Sequence, residues 1–176
     1  NELGGKMKYR YRTDEEMKDS GVEWIGKIPK EWSVKRNKNL FEINKNIVGE
    51  KSGEYKVLSL TLKGVIERDL SENAGKIPAT FDGYQTIKEN SLLLCLFDMD
   101  VTPRISGYVP QMGIVSPAYT NINGISNRVN NKFYSYWFLK MDSEKILLSY
   151  SKSLRNTLTN ENFMSIPILS LRETEQ

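Results

Sequence analysis

The longest unbroken apolar run in this chain is Leu92–Phe97, six residues and therefore of strand length. It bounds what any one element can bury. A helix crossing a bilayer needs about 20 apolar residues, and no run approaches that. Short β-like pieces surround it: Tyr55–Thr61, Val65–Ile66, Thr86–Ile87, Ser91–Phe97, Ile105–Val109, Gly113–Val115 and Tyr119–Ile122, separated by Gly, Asn, Asp and Pro. Asn130–Met141 and Asp142–Ser151 then read as helical, with Phe133, Trp137 and Met141 at four-residue spacing and Ile146, Leu147 and Tyr150 continuing the stripe. Thr159–Asn162 predicts one helical turn and Ser165–Leu169 a last strand. The sum is an α+β chain with short mixed or antiparallel sheets and a few helices, small enough at 176 residues for one domain and an arm.

The N-terminal part reads differently. Asn1–Lys6 looks like a remnant of expression ahead of a natural start at Met7. Thr13 and Glu16 have capping-box spacing and predict a short helix. Gly21–Trp32, punctuated by Gly26 and Pro29, reads as an irregular arm pinned by Trp24 and Trp32. Core packing is the usual fate of such tryptophans, ahead of stacking on bases. At the other end, Ser170 and Glu173 form a second capping box, so a helix is expected to begin where the sequence stops. No secretory apolar core follows Met7, and the lone Cys95 lies in the apolar run as a small buried hydrophobe, so a reducing cytoplasm is expected.

Composition removes whole classes of chemistry. With no His and one Cys, the chain holds no imidazole base, no Ser-His-Asp triad, no His-ligated metal and no internal disulfide. Asp98 and Asp100 lack the third acid and nearby Lys of a nuclease site and read as a turn closing the apolar strand. Gly4-Gly5-Lys6 is too short for a phosphate loop. Ser116-Pro-Ala-Tyr119 superficially resembles the Asp/Asn-Pro-Pro-Tyr signature of amino-methyltransferases, but its second proline is Ala118, and no Gly-rich cofactor loop follows an early strand. No cofactor, metal or catalytic residue is expected.

Charge is unevenly spread. The net charge is +3, yet residues 57–100 carry four bases against seven acids, whereas residues 101–141 carry Arg104, Arg128, Lys132 and Lys140 and no acid. The basic stretch is rich in Asn, Ser, Thr and Tyr, which hydrogen-bond phosphates and base edges beside Arg and Lys. An ordinary solvated surface has the same composition.

Three segments resemble a known family. Lys18–Trp32, followed by Lys35-Arg36 and Leu40-Phe41, is similar to the N-terminal arm of type I restriction-modification specificity subunits. Gly113–Thr120 resembles the middle motif of their target-recognition domain, and Ser153–Leu158 with Phe163 and Ile166–Ile168 resembles its closing segment. Leu169-Ser170 and Glu173-Thr174 depart from the family's Pro-Pro-Leu and Glu-Gln at the end. The resemblance implies one DNA target-recognition domain at 42–170 behind an arm at 7–41, with 171–176 opening a spacer helix. It implies no catalysis in this chain. The partners would be double-stranded DNA, methyltransferase subunits that modify adenine, and a restriction subunit. The domain would read one half of a bipartite target. No membrane partner is expected.

Three loops are the expected DNA contacts. Thr61–Ala79 carries Lys63, Arg68, Asn73 and Lys76; Thr102–Gln111 carries Arg104, Tyr108 and Gln111; Lys152–Thr157 carries Lys152, Arg155 and Asn156. Arg104 and Arg155 lead, since each is flanked by polar or turn residues and lacks an adjacent acid. Two other readings share these features: the recognition region of a single-chain restriction-methyltransferase, and a protein-binding domain that never meets DNA.

Overall fold

Leu92–Phe97 is apolar at every position because the strand inside it is buried on both faces. The computed structural model describes residues 10–71, 77–151, 156–172 and 175–176. Along the chain run β1 (Met17–Asp19), β2 (Lys27–Pro29), β3 (Ser33–Arg36), β4 (Phe41–Asn44), β5 (Asn46–Ile47), β6 (Leu58–Thr61), β7 (Gly64–Glu67), β8 (Gln85–Ile87) and β9 (Leu92–Leu94). Then come β10 (Ser106–Tyr108), β11 (Gly113–Val115), β12 (Thr120–Gly124), helices α1 (Asn131–Ser143), α2 (Ile146–Ser149) and α3 (Asn160–Ser165), and β13 (Pro167–Ser170). Every strand pairing within the sheets is antiparallel. The class is α+β.

The largest sheet has the order β10-β9-β12-β4, and a second has the order β11-β8-β5. In β9, Leu92 and Leu94 enter one core with Phe41, Ile122, Tyr134, Phe138 and Phe163, while Leu93 enters another with Leu58, Val65, Ile87, Val109 and Val115. Side chains alternate along a strand, so a strand between two cores must be apolar throughout. α1 covers the first core. Its N-cap Asn130 accepts from the Phe133 N–H at 3.1 Å, and Tyr134 meets Phe41 edge-on at 5.2 Å. The β6–β7 hairpin closes the second core against β10. A Cβ on Gly107 would stand 2.6 Å from Leu60 Cδ1 and 2.7 Å from Val65 Cγ2, so only glycine admits this approach.

The arm is more regular than its glycines and proline suggest. β1 and β2 form a ribbon, and the short helix expected behind the Thr13–Glu16 capping box is a single 3-10 turn, Asp14–Glu16, that leads directly into β1. The Trp expectation holds: Trp24 lies 6.1 Å from Trp137 and its Nε1 donates to the Tyr150 hydroxyl at 3.1 Å. Trp32 packs with Ile28 and Leu169. α1 runs through the predicted break at Met141 to Ser143; the chain turns at Lys145, whose φ of 57° is left-handed, before the short α2. Strands β3, β4 and β5 are not visible in the sequence pattern, and β3 pairs with β13. The second capping box reaches Glu173, which lies outside the described residues, as do Asn1–Lys6. No described helix is long and apolar enough to cross a membrane.

Candidate nucleic-acid interface

Parts of the three predicted loops converge at one end of the molecule. The β6–β7 hairpin turns at Gly64, with φ 101°, and Thr61 Oγ1 accepts from the Lys63 N–H at 3.2 Å, leaving the Lys63 side chain at the exposed tip. Arg104 joins this tip to the next loop: its Nη1 donates to Leu62 O at 3.0 Å and its Nε to Ser106 O at 2.9 Å. The buried Asp142 carboxylate of α1 accepts from the Ile105 N–H at 2.8 Å and so holds the residue beside Arg104. The third loop enters through Asn156, at φ 46°, whose carbonyl accepts from the Met99 N–H at 3.3 Å.

Other predicted contacts fall elsewhere. Tyr108 ends β10 on the opposite side and Gln111 lies just beyond it; the Tyr108 hydroxyl bonds the Asn90 amide oxygen. Arg68 follows β7, half-buried, with its backbone N–H donating to Val57 O at 2.7 Å. Asn73, Lys76, Lys152 and Arg155 lie outside the described residues. The converged end is of mixed sign. Asp98 and Asp100 are exposed in the turn after β9, and Lys145 Nζ stands 3.7 Å from Asp142.

A second concavity went unseen in the sequence. A cavity of about 250 Å³ is lined by Glu42, Asn44, Asn46, Thr86, Lys88 and the β12 residues Asn121 and Asn123. The register pairs Asn121 with Asn44 and Asn123 with Glu42, so one face of β4 and β12 is amide-rich. Asn121 is 3% exposed and its buried Oδ1 has no hydrogen-bond partner among the described residues. An amide offers a donor and an acceptor together, the pattern that reads an adenine edge. The alternation Glu42, Asn44, Asn46 was the available signal, but it lies in strands with too few apolar residues to register.

The methyltransferase-like motif has a structural job. Gln85 Nε2 donates to Ser116 O at 3.2 Å and Tyr119 O at 2.7 Å, pinning the turn between β11 and β12. The Tyr119 ring packs against the second core, and burial pushes its phenol pKa up. Cys95 is a free, buried thiol whose pKa is raised by the same cause. Among the described residues, no three His, Cys, Asp or Glu side chains gather as metal ligands.

Known structures share the fold that positions these residues. The chain superimposes on the HsdS subunit from Thermoanaerobacter tengcongensis with a TM-score of 0.51 at 10% identity, over 92% of this chain and 37% of that one. The S subunit of a type I restriction-modification system from M. genitalium gives 0.51 at 10% identity, over 82% and 35%. This is the fold of a type I S subunit. The chain spans little more than a third of either structure's length. No family model matches the sequence, and no curated protein does.

Proposed function

We propose that this chain is a non-catalytic DNA target-recognition module that reads one half of a bipartite site and directs adenine methylation and restriction by partner subunits in the cytoplasm. The observation that carries this reading is the S-subunit fold extending over nine-tenths of the chain. In the proposal, residues 7–41 serve as the arm and 42–170 as the reader. The sequence resemblance in Lys18–Trp32 and Gly113–Thr120 supports the same reading independently. So does the architecture, since side chains for base reading sit on loops and a cleft held by rigid strands.

Two contact groups follow. Lys63, Arg104 and Asn156 are proposed to meet DNA from the converged end, Arg68 from beyond the far end of β7, and Tyr108 and Gln111 from the far end of β10. Asn73, Lys76, Lys152 and Arg155 complete the proposed contacts by sequence alone. Each good bidentate base contact would discriminate by roughly 1–3 kcal/mol.

Fluorescence anisotropy of the chain on mixed-sequence duplexes tests the reading. Binding at low salt that falls steeply as salt rises is the expected result. Absence of binding at low salt, with and without methyltransferase subunits, overturns it. Methylation mapping in cells that express the chain within its subunit then identifies the target bases.

A further inference from the structure

The segment Lys35–Leu40 alternates between anchors and cations. Asn37 is fully buried: its Nδ2 donates to Phe163 O at 2.9 Å and its backbone N–H to Ile166 O at 3.0 Å. Leu40 is buried in the main core. Lys35 and Arg36, which end β3, and Lys38 and Asn39, in the single 3-10 turn that follows it, are exposed around these two anchors. Asn39 Oδ1 accepts from the Arg36 N–H at 3.2 Å, so the turn is closed from both sides.

The turn borders two adjoining concavities of about 760 and 400 Å³, which share Lys35 and Asn39. The far wall carries Arg128 and Arg172. Gln176 staples that wall: its Nε2 donates to Arg128 O at 2.9 Å and its Oε1 accepts from the Asn130 N–H at 2.7 Å. No carboxylate residue lines either concavity among the described residues. Arg172 is paired with Glu175 at 3.2 Å, but no described ion pair includes Lys35, Arg36, Lys38 or Arg128. Elsewhere some surface cations are paired, Arg10 with Glu16, Arg12 with Glu31, Lys27 with Asp14, Lys56 with Glu67 and Lys140 with Glu144, and others such as Lys18 and Lys51 stand singly rather than grouped around a groove.

We infer that the groove between the Lys35–Asn39 turn and Arg128 is a backbone track for double-stranded DNA, gripping phosphates without reading bases. This rests on the DNA reading proposed above and assigns it a second surface. Four cations held around buried anchors, without described acids to neutralise them, suit a polyanion. Phosphate contacts set affinity and register and carry no sequence information. The groove would therefore supply binding strength, and the loops and amide cleft would supply discrimination.

The test compares two variants that lose the same charge. One removes the groove cations (Lys35→Ala, Arg36→Ala, Lys38→Ala and Arg128→Ala). The other removes four exposed lysines elsewhere (Lys18→Ala, Lys30→Ala, Lys45→Ala and Lys51→Ala). Anisotropy on a mixed-sequence duplex is read from about 50 to about 200 mM salt. The groove variant is expected to bind at least about tenfold more weakly, with its log–log salt slope flatter by about 3.6, since each of the four lost phosphate contacts removes about 0.9. The control variant should stay within a few-fold of the wild type. If the two variants weaken alike, or if the groove variant keeps the wild-type slope, the track is overturned and the DNA reading stands. If the wild type does not bind duplex at low salt, both fall. Lys35→Glu and Arg128→Glu, singly, decide the matter should the fourfold variant melt early. Each should weaken binding severalfold, and two unchanged affinities would refute the track.

Discussion

The converged loop end and the Lys35–Asn39 groove both present cations, but they are built in opposite ways. At the loop end, Arg104 donates to two backbone carbonyls and Asp142 accepts a backbone N–H, so charged groups serve as internal struts. At the groove, the neutral Asn37 and Leu40 do the anchoring, and the charges are left to solvent. A strut cannot be removed without loosening the loop it holds. An exposed cation can be removed with little effect on folding. Stability and affinity should therefore separate between the two regions, and substitutions can establish whether they do.

The largest stability effects belong to the buried anchors. Asp142→Ala leaves the Ile105 N–H without its acceptor and should cost roughly 1–3 kcal/mol, read as a lower midpoint in urea. Asn37→Ala should cost a similar amount and, unlike Asp142→Ala, should also weaken DNA binding, because the cationic turn loses its pin. An Asn37→Ala variant of wild-type stability and affinity would erase the distinction between the regions.

Arg104→Ala comes next. Its two carbonyl acceptors return to water at a partly exposed site, so a loss of about 1 kcal/mol is expected. A base-preference change in a reconstituted methylation assay, on top of that loss, would show the guanidinium serving both as strut and contact. The groove substitutions at Lys35, Arg36, Lys38 and Arg128 should shift stability by less than about 0.5 kcal/mol each, as measured by the same urea titration. A larger drop would mean that these side chains also hold the fold.

Alkaline pH probes the core that both regions share. Tyr134 is fully buried and its phenol is pushed up to about 12 by desolvation. A folded-state pKa above the unfolded one means that the native state binds more protons between the two values. Tyr134's contribution is thus complete below about pH 10 and lost as pH rises toward 12. Thermal melts from pH 9 upward should decline less steeply for Tyr134→Phe than for the wild type. Parallel declines would place the alkaline sensitivity elsewhere.

Much of the fold was legible because burial imprints apolar patterns. Gly113–Val115 is a strand at the residues expected, and the helical turn expected at Thr159–Asn162 is present as α3, which starts one residue later with Thr159 as its N-cap. The helical spacing of Phe133 and Trp137 correctly placed both against the core. The misses share a cause. β1, β4 and β5 carry Lys18, Glu42, Asn44 and Asn46 along partly exposed edges, so their apolar signal is thin, and partner strands rather than local propensity make them extended. The three loops stood out in the sequence because their cations lie among polar and turn residues, and the structure brings parts of them to one end. The amide cleft was missed because its lining comes from four strands distant in sequence.

Composition alone withheld His-based and disulfide chemistry, and the length of its apolar runs restricted the chain to short elements. Those are one-dimensional properties: they depend on which residues exist and how far apart they lie. The Arg104 clamp, the Asn121 cleft and the groove joining Lys35 to Arg128 were decided only by tertiary structure. Each joins residues between about forty and ninety positions apart, and only closure of the sheets around two cores brings them within reach.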